Sequence, residues 1–236
     1  MRIGVISSSA GFTFEQLWRG VQHLDVNFAV VTDRECGIER VCDRRGIACE
    51  RIVATDRQEF SVRSARALKS QGVEFVLLLF NRIVTADLYE VLPVYNIHPS
   101  LLPAFPGLSA LKEARARGVR FVGATMHLVS EHADDGPIVA QVSTPIRPPV
   151  TEATLGDISF MQRIYLSLLA VDLHTAGLLV NVSDQRTANV AADRPYSGMC
   201  NPCIVDERML AFMKAIEEER GIEVTQIGRV ISSSVS

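Results

Sequence analysis

The sequence lacks any uncharged apolar run approaching the roughly 18 residues a membrane-spanning helix needs, and its opening Met1-Arg2-Ile3-Gly4-Val5-Ile6 is too short for a secretory leader. No membrane partner is expected, and the expected compartment is the cytoplasm. A basic excess is lacking as well. The 24 Lys and Arg stand against 27 Asp and Glu, a formal charge of −3, which argues against nucleic acid and for a small-molecule partner. Cysteine is scarce. Cys36, Cys42, Cys49, Cys200 and Cys203 form an odd set in a chain of 236 residues, long enough to bury a core without disulfides, so free thiols are expected. The spacing of Cys200-Asn201-Pro202-Cys203 would suit half of a zinc site, but no second such pair or close histidine pair completes it, and no metal is expected. The first turn also lacks G-x-G-x-x-G, which disfavours an ordinary NAD-binding domain. No internal repeat is visible.

What is present is an alternation of strand and helix patterns. Arg2 to Ser7 reads as a buried strand, Ser8-Ser9-Ala10-Gly11 as a turn, and Phe14, Leu17, Trp18 and Val21 as the apolar stripe of a helix. Val26 to Val31 reads as a strand, Glu35 to Arg45 as a helix stopped by Gly46, and Ile47 to Val53 as a strand. Asp56, with Glu59 three residues on, marks the start of a helix that Gly72 ends. Val73 to Phe80 is continuously apolar, as in the middle of a parallel sheet covered on both faces. Thr85 is expected to cap a short helix to Leu92, and Val94-Tyr95 to lead into a loop beginning at Asn96. Doubly wound sheets place ligands at the carboxyl ends of their strands, so this loop is expected at the ligand edge.

Beyond it the pattern changes. Ser109 to Arg117 reads as a helix stopped by Gly118; Phe121 to Val129 and Ile138 to Ile146 alternate like strands with one covered face. Asp157 to Val180 reads as a core helix, Ser183 to Ile204 as a loop, and Asp206 as the cap of a last helix through Arg220, with Glu217-Glu218-Glu219 on a solvated face. The serine-rich end, Ser232 to Ser236, is expected to fray. The fold class expected is α/β: a doubly wound, mostly parallel sheet with an antiparallel C-terminal portion. The expected division is a catalytic domain over 1–182 and a loop-plus-helix extension over 183–236, which would close over a substrate or build a homodimer interface.

The chain holds Asn96-Ile97-His98-Pro99-Ser100-Leu101-Leu102-Pro103, then Pro106-Gly107, then Gly123-Ala124-Thr125 with His127, then Asp134-Asp135-Gly136-Pro137. In this order and spacing the motifs resemble the folate-dependent formyltransferases of the glycinamide ribonucleotide transformylase type, over roughly residues 1 to 180. Gly118 to Thr125 is also similar to formyltetrahydrofolate hydrolases. The resemblance implies a formyltransferase-like fold and transfer of a formyl group from 10-formyltetrahydrofolate to a small-molecule amine. It implies that Asn96 and His98 hold the oxygen that becomes negative, and that Asp134 pairs with His98 and assists proton transfer. A neighbouring carboxylate favours a charged imidazole, which is the better donor. His127 would either support these groups or pack. The family's folate pocket carries over to Phe80, Asn81, Arg82, Ile83 and Val84, with Val129, Ser130, Glu131 and His132 opposite; core packing is the other reading of Ile83 and Val84.

On the acceptor side the residues carried over are Ser9, Ala10, Gly11, Phe12 and Met161, and here the pattern departs. The family's phosphate cradle is a Gly-rich loop at a helix N-terminus. This chain keeps only Gly11, has an aromatic ring at Phe12, and has Met161 where the family has an acidic residue. The expected acceptor is therefore an amino sugar or a specialised-metabolite amine in preference to glycinamide ribonucleotide. Hydrolysis of 10-formyltetrahydrofolate is the alternative, disfavoured because the first strand starts at Arg2 without the small N-terminal domain of such hydrolases. A non-catalytic folate-binding protein is the third reading, against which the joint presence of Asn96, His98 and Asp134 counts.

Overall fold

Strand-forming and helix-forming stretches alternate in the computed structural model much as their apolar periods dictate. The structure describes residues 1–80, 82–147, 149–179, 194–222 and 224. Asn81, the end of the expected Asp157 to Val180 helix, most of the expected loop from Ser183, and the serine-rich end lie outside the described residues. Two compact units form: of the described residues, the first holds 1–96 and 128–137, the second 97–127, 138–179 and those from 194 onward.

The first unit is built on β1 (Arg2–Ser7), β2 (Asn27–Thr32), β3 (Ala48–Arg51), β4 (Phe75–Leu79) and, as far as Asn96, β5 (Val94–His98). They lie in the order β3-β2-β1-β4-β5 and pair parallel throughout. β1, β2 and β4 are buried on successive residues, as strands covered on both faces are. Ala29 and Val31 of β2 face a cluster with Phe60, Ala65 and Leu68 of α3 (Arg57–Ser70) and Leu88 of α4 (Ala86–Tyr89). Phe28, one residue before Ala29 and so on the opposite face, meets Phe14 of α1 (Phe12–Gly20) edge to face at 5.3 Å. Gly46 ends α2 (Gly37–Arg45) in the left-handed region at φ 65°. Asp56 caps α3 by accepting from the Gln58 and Glu59 N–H groups at 2.8 Å, a device worth about 1 kcal/mol.

Three expectations are corrected here. The carboxylate of Glu59 reaches the N–H and hydroxyl of Thr55 rather than Asp56, so the reciprocal box is displaced by one residue. Thr85 precedes α4 without capping it through its side chain; its hydroxyl donates to Asp87 at 2.8 Å. Asn96 and His98 lie within β5 and not in a loop, because pairing with β4 continues to Leu78 and Asn96.

The second unit holds α5 (Ala110–Ala116), β6 (Phe121–Leu128), β7 (Ile138–Pro145), α6 (Glu152–Thr175), β8 (Cys200–Asn201) and α7 (Glu207–Arg220). β6 and β7 pair antiparallel with a bulge between Met126 and His127, and β8 pairs antiparallel with β7. β6 is buried from Val122 to Leu128, on both faces and not one. α6 starts earlier than expected because Thr151 caps it, accepting from the Thr154 N–H at 3.1 Å. Asp206 caps α7 by accepting from the Arg208 and Met209 N–H groups at 2.9 Å. Glu217 is buried and accepts from the Val224 N–H at 3.0 Å, so it is not part of a solvated acidic face. Asp172 of α6 is held by Arg194 at 2.7 Å and accepts from the Val205 N–H at 3.1 Å, both ionic side chains being buried. Among the described residues no helix is long and apolar enough to cross a membrane.

Candidate active site

In the second unit, His98 ends β5 and is 5% exposed. Its Nε2 lies 2.9 Å from the carbonyl oxygen of Phe105. A carbonyl only accepts, so Nε2 carries a proton and donates it there. The carbonyl is aimed by a tight loop. Phe105 takes φ 53°, the Leu102–Pro103 bond is cis, and the Ser100 hydroxyl donates to the Ala104 carbonyl at 2.5 Å.

Two side chains strap that loop to the strands. Thr125 of β6 accepts from the Leu102 N–H at 3.0 Å and donates to the Ser100 carbonyl at 2.7 Å. Gln141 of β7 donates from Nε2 to the Leu102 carbonyl and to Thr125, each at 3.0 Å. Neighbouring Gly123 leaves room for Leu101: a β-carbon there would fall 2.4 Å from Leu101 Cδ2 and 2.5 Å from the Val142 carbonyl. Thr125 stands in the sequence motif, but Gln141 does not, and only its position opposite Thr125 in the β6–β7 ladder reveals it. His127 is buried in β6.

In the first unit, Asn96 is half-buried in β5, two residues before His98 and thus at the same phase of the strand pleat. Asp134 is half-buried at φ 59°, a left-handed backbone that Asp tolerates better than most residues. Its loop is pinned at the base: the Leu128 N–H donates to the Pro137 carbonyl at 2.9 Å, and the Val129 N–H to the Val94 carbonyl of β5 at 2.8 Å. A β-carbon on Gly136 would sit 1.7 Å from the Leu128 carbonyl oxygen, so only glycine fits that return.

Of the residues expected to line a folate pocket, Phe80, Val84 and Val129 come together on the core cluster of the first unit. Phe80 stacks on Phe60 at 5.4 Å. Val84 is core, but Ile83 is 57% exposed, so the packing alternative holds for Val84 and fails for Ile83. Arg82 extends to Asp33 at 2.8 Å, and Asp33 also accepts from Nε and Nη2 of Arg34. Those hydrogen bonds, Arg34 foremost, hold the Asp33 carboxyl below the usual carboxylate range. Glu131 and His132 are exposed, and the Ser130 hydroxyl donates to the His132 carbonyl at 3.3 Å. Asn81 lies outside the described residues.

The acceptor-side loop closes on itself. Ser9 Oγ accepts from the Gly11 N–H at 3.2 Å and lies 2.9 Å from Ser7 Oγ. The Ser9 carbonyl accepts from the Ile38 N–H at 3.1 Å. Gly11 is required twice over: φ is 87°, and a β-carbon would meet Ile38 Cα at 2.9 Å. Ala10 is exposed, and Phe12, the first residue of α1, is 65% exposed. Glu15, in the first turn, pairs with Arg45 at 2.9 Å. Met161 is a correction. It is fully buried among the core residues of α6, so it packs and presents no surface to an acceptor.

A family model described as formyl transferase matches residues 1–163. The chain is 31% identical over 207 residues to a trifunctional purine biosynthetic protein adenosine-3 of Drosophila pseudoobscura pseudoobscura, covering 82% of this chain and 15% of that protein. It is 32% identical over 123 residues to a formyltetrahydrofolate deformylase of Escherichia coli (strain K12), covering 50% of this chain and 44% of the relative. The chain thus spans under half the length of each of these two relatives. Among solved structures, glycinamide ribonucleotide transformylase 1 from Symbiobacterium toebii superposes with a TM-score of 0.72 at 30% identity, covering 77% of this chain and 90% of that one.

Proposed function

The chain belongs to the formyl transferase family, and from that premise we propose that it transfers a formyl group from 10-formyltetrahydrofolate to the amine of a small molecule other than glycinamide ribonucleotide. In the proposed reaction the acceptor nitrogen attacks the formyl carbon and its oxygen becomes negative. The Asn96 amide and the His98 ring, as an imidazolium donating from Nδ1, stabilise that oxygen, and Asp134 takes the proton of the attacking amine. As the oxygen re-forms the carbonyl, the bond from the formyl carbon to the folate nitrogen breaks, and tetrahydrofolate leaves with a proton on that nitrogen. Rigid backbone supports these roles, since donors already in place at the developing charge need no reorganisation during reaction. For His98 it is the Phe105 carbonyl that fixes the ring. Phe80, Ile83, Val84 and the 129–132 segment are the proposed folate-lining residues, with backbone groups carrying the recognition; Asn81 and Arg82 complete the proposed set.

The observation that carries the acceptor reading is the hydrogen bond from the Gly11 N–H to Ser9 Oγ. A phosphate cradle offers its N–H groups outward; here the loop's own hydroxyl takes one of them, Phe12 stands at the helix start, and Glu15 adds negative charge in the first turn. Ser9, Ala10, Gly11 and Phe12 are proposed to meet an uncharged acceptor, of the amino-sugar or specialised-metabolite kind.

The test is incubation of the protein with 10-formyltetrahydrofolate, following tetrahydrofolate release with and without a panel of amines that includes amino sugars and glycinamide ribonucleotide. Release only with one class of amine supports the proposal and names the class. Similarity to the deformylase supports a second reading, hydrolysis with water as acceptor. Release without any amine would decide for it, and strong dependence on glycinamide ribonucleotide would overturn the acceptor reading.

A further inference from the structure

The turn Cys200-Asn201-Pro202-Cys203 brings two sulfur atoms to 2.7 Å. Both cysteines are buried, 6% and 5% exposed, and both are free thiols. Two thiolates on one tetrahedral metal, with bonds of about 2.3 Å, would stand roughly 3.7 Å apart. The observed separation is well inside that and approaches the ~2.05 Å of a disulfide. Among the described residues no group of three His, Cys, Asp or Glu side chains is placed to hold a metal.

The surroundings distinguish the two sulfurs. Tyr165 of α6 accepts from the Ile204 N–H at 3.1 Å, and its hydroxyl donates to Cys200 Sγ at 3.2 Å. Ser197 Oγ accepts from the Met199 and Cys200 N–H groups at 3.1 Å, which leaves its own proton for Cys200 Sγ at 3.2 Å. Both hydroxyls lie 3.2 Å from Cys200 Sγ, and on Cys203 they act as lesser influences beside Cys200 itself. The hydrogen bond from Cys203, helped by those of Ser197 and Tyr165, outweighs burial and brings the Cys200 thiol down to about 6, while the same bond holds Cys203 above the ordinary thiol value. An attacking thiol and a resolving thiol differ in this way.

We propose that Cys200 and Cys203 are an oxidative modification site, a dithiol that closes to an intrachain disulfide by exchange with low-molecular-weight disulfides. The Cys200 thiolate attacks one sulfur of the small disulfide, forming a mixed disulfide and expelling one thiolate. Cys203 gives up its proton, attacks the Cys200 sulfur and expels the second thiolate. The two expelled thiolates take up protons, so two cysteine thiols are oxidised and one small disulfide is reduced to two thiols. Exposed Gly198 and Asn201 flank Cys200 and give the reagent an approach. The new bond would join β8 to the segment that leads into α7.

The test treats the folded full chain with oxidised glutathione, then denatures it in an alkylating agent and maps its cysteines by mass spectrometry. The peptide holding both residues is expected to lose both alkyl groups and two hydrogens, and to regain the alkyl groups after dithiothreitol. In Cys203→Ser, glutathione is expected to remain on Cys200; in Cys200→Ser, Cys203 is expected to be alkylated. Melting curves of both variants report whether they fold, and the unsubstituted chain decides the matter if either does not. Full alkylation of both cysteines after prolonged native exposure, a bridge that forms only in the unfolded chain, or a stable glutathione adduct on Cys200 without a bridge would each overturn the proposal.

Discussion

The Nε2 nitrogen of His98 donates its proton to the carbonyl of Phe105 across 2.9 Å, seven residues further along the chain. A buried ring held at one nitrogen presents the other in a fixed direction, which is what stabilisation of a developing charge requires. His98→Ala is expected to lower formyl transfer by roughly two to four orders of magnitude, in kcat more than in KM. Asp134→Asn is expected to do the same, with the deficit easing at higher pH as the acceptor amine loses its own proton. Steady-state release of tetrahydrofolate measures both, and turnover near the parent level in either variant would remove that residue from the mechanism.

Thr125 is a more indirect target. Its hydroxyl satisfies three partners at once, Ser100, Leu102 and Gln141, and Thr125→Val removes all three without changing shape. Leaving buried polar groups unpaired costs about 1–3 kcal/mol each. A lowered melting temperature and a lowered kcat are expected together; a variant that melts earlier but turns over normally would show that the strap does not position His98.

Gly136→Ala tests the aspartate loop by sterics. The added carbon would meet the Leu128 carbonyl oxygen at 1.7 Å, so the return from Asp134 to β7 must open. Loss of activity comparable to Asp134→Asn is expected, with the Asp134 side chain still in the sequence. Activity within a factor of about three of the parent, well short of the loss of a catalytic group, would mean the loop does not hold Asp134 for the reaction.

The buried pair of Asp172 and Arg194, 2.7 Å apart, predicts a large effect on stability. Breaking such a pair at one end typically costs about 3–5 kcal/mol because the other charge stays buried. Asp172→Ala is expected to lower the melting temperature by roughly 2–4 °C per kcal/mol in a chain of this size. Removing both charges with apolar side chains is expected to recover much of that loss, and thermal melts of single and double variants test it.

Asp33 makes a prediction about pH. Its carboxyl is held below the ordinary value by Arg34, with Arg82 contributing, so it stabilises the fold above the unfolded value of about 3.9, and that contribution is lost as pH falls through the lower folded value. The difference in melting temperature between the parent and Asp33→Asn is expected to be constant from neutral pH to about pH 5 and to shrink below about pH 4. An unchanged difference at the lowest pH would rule out an ionic origin.

Much of this architecture is written locally. Gly46, Asp56 and Asp206 announce helix ends because a left-handed cap and a side-chain acceptor are properties of single residues. The Asn96 and His98 motif was legible for the same reason. What escaped local reading depends on neighbours distant in the chain. Nothing near Asn96 says that β4 continues to pair as far as that residue, and nothing near Phe121 says that β6 is covered on both sides. Glu217 reads as one of three solvated acids until the Val224 N–H turns back to it. Gln141 looks like an ordinary strand polar residue until it is set opposite Thr125. Met161 is the converse: a position carried over from a family pattern, whose burial in α6 gives it a packing role.

In the second unit, β8 is only two residues long, and Pro202 follows it at once. An exposed strand edge is a template for another chain, and a very short strand interrupted by proline offers too few N–H and C=O groups for an intruder to follow. In the first unit, β3 is four residues long and finishes in Glu50 and Arg51, charges that resist the same approach. Among the described residues, neither of these short strands offers a neighbouring copy a long row of backbone groups to extend.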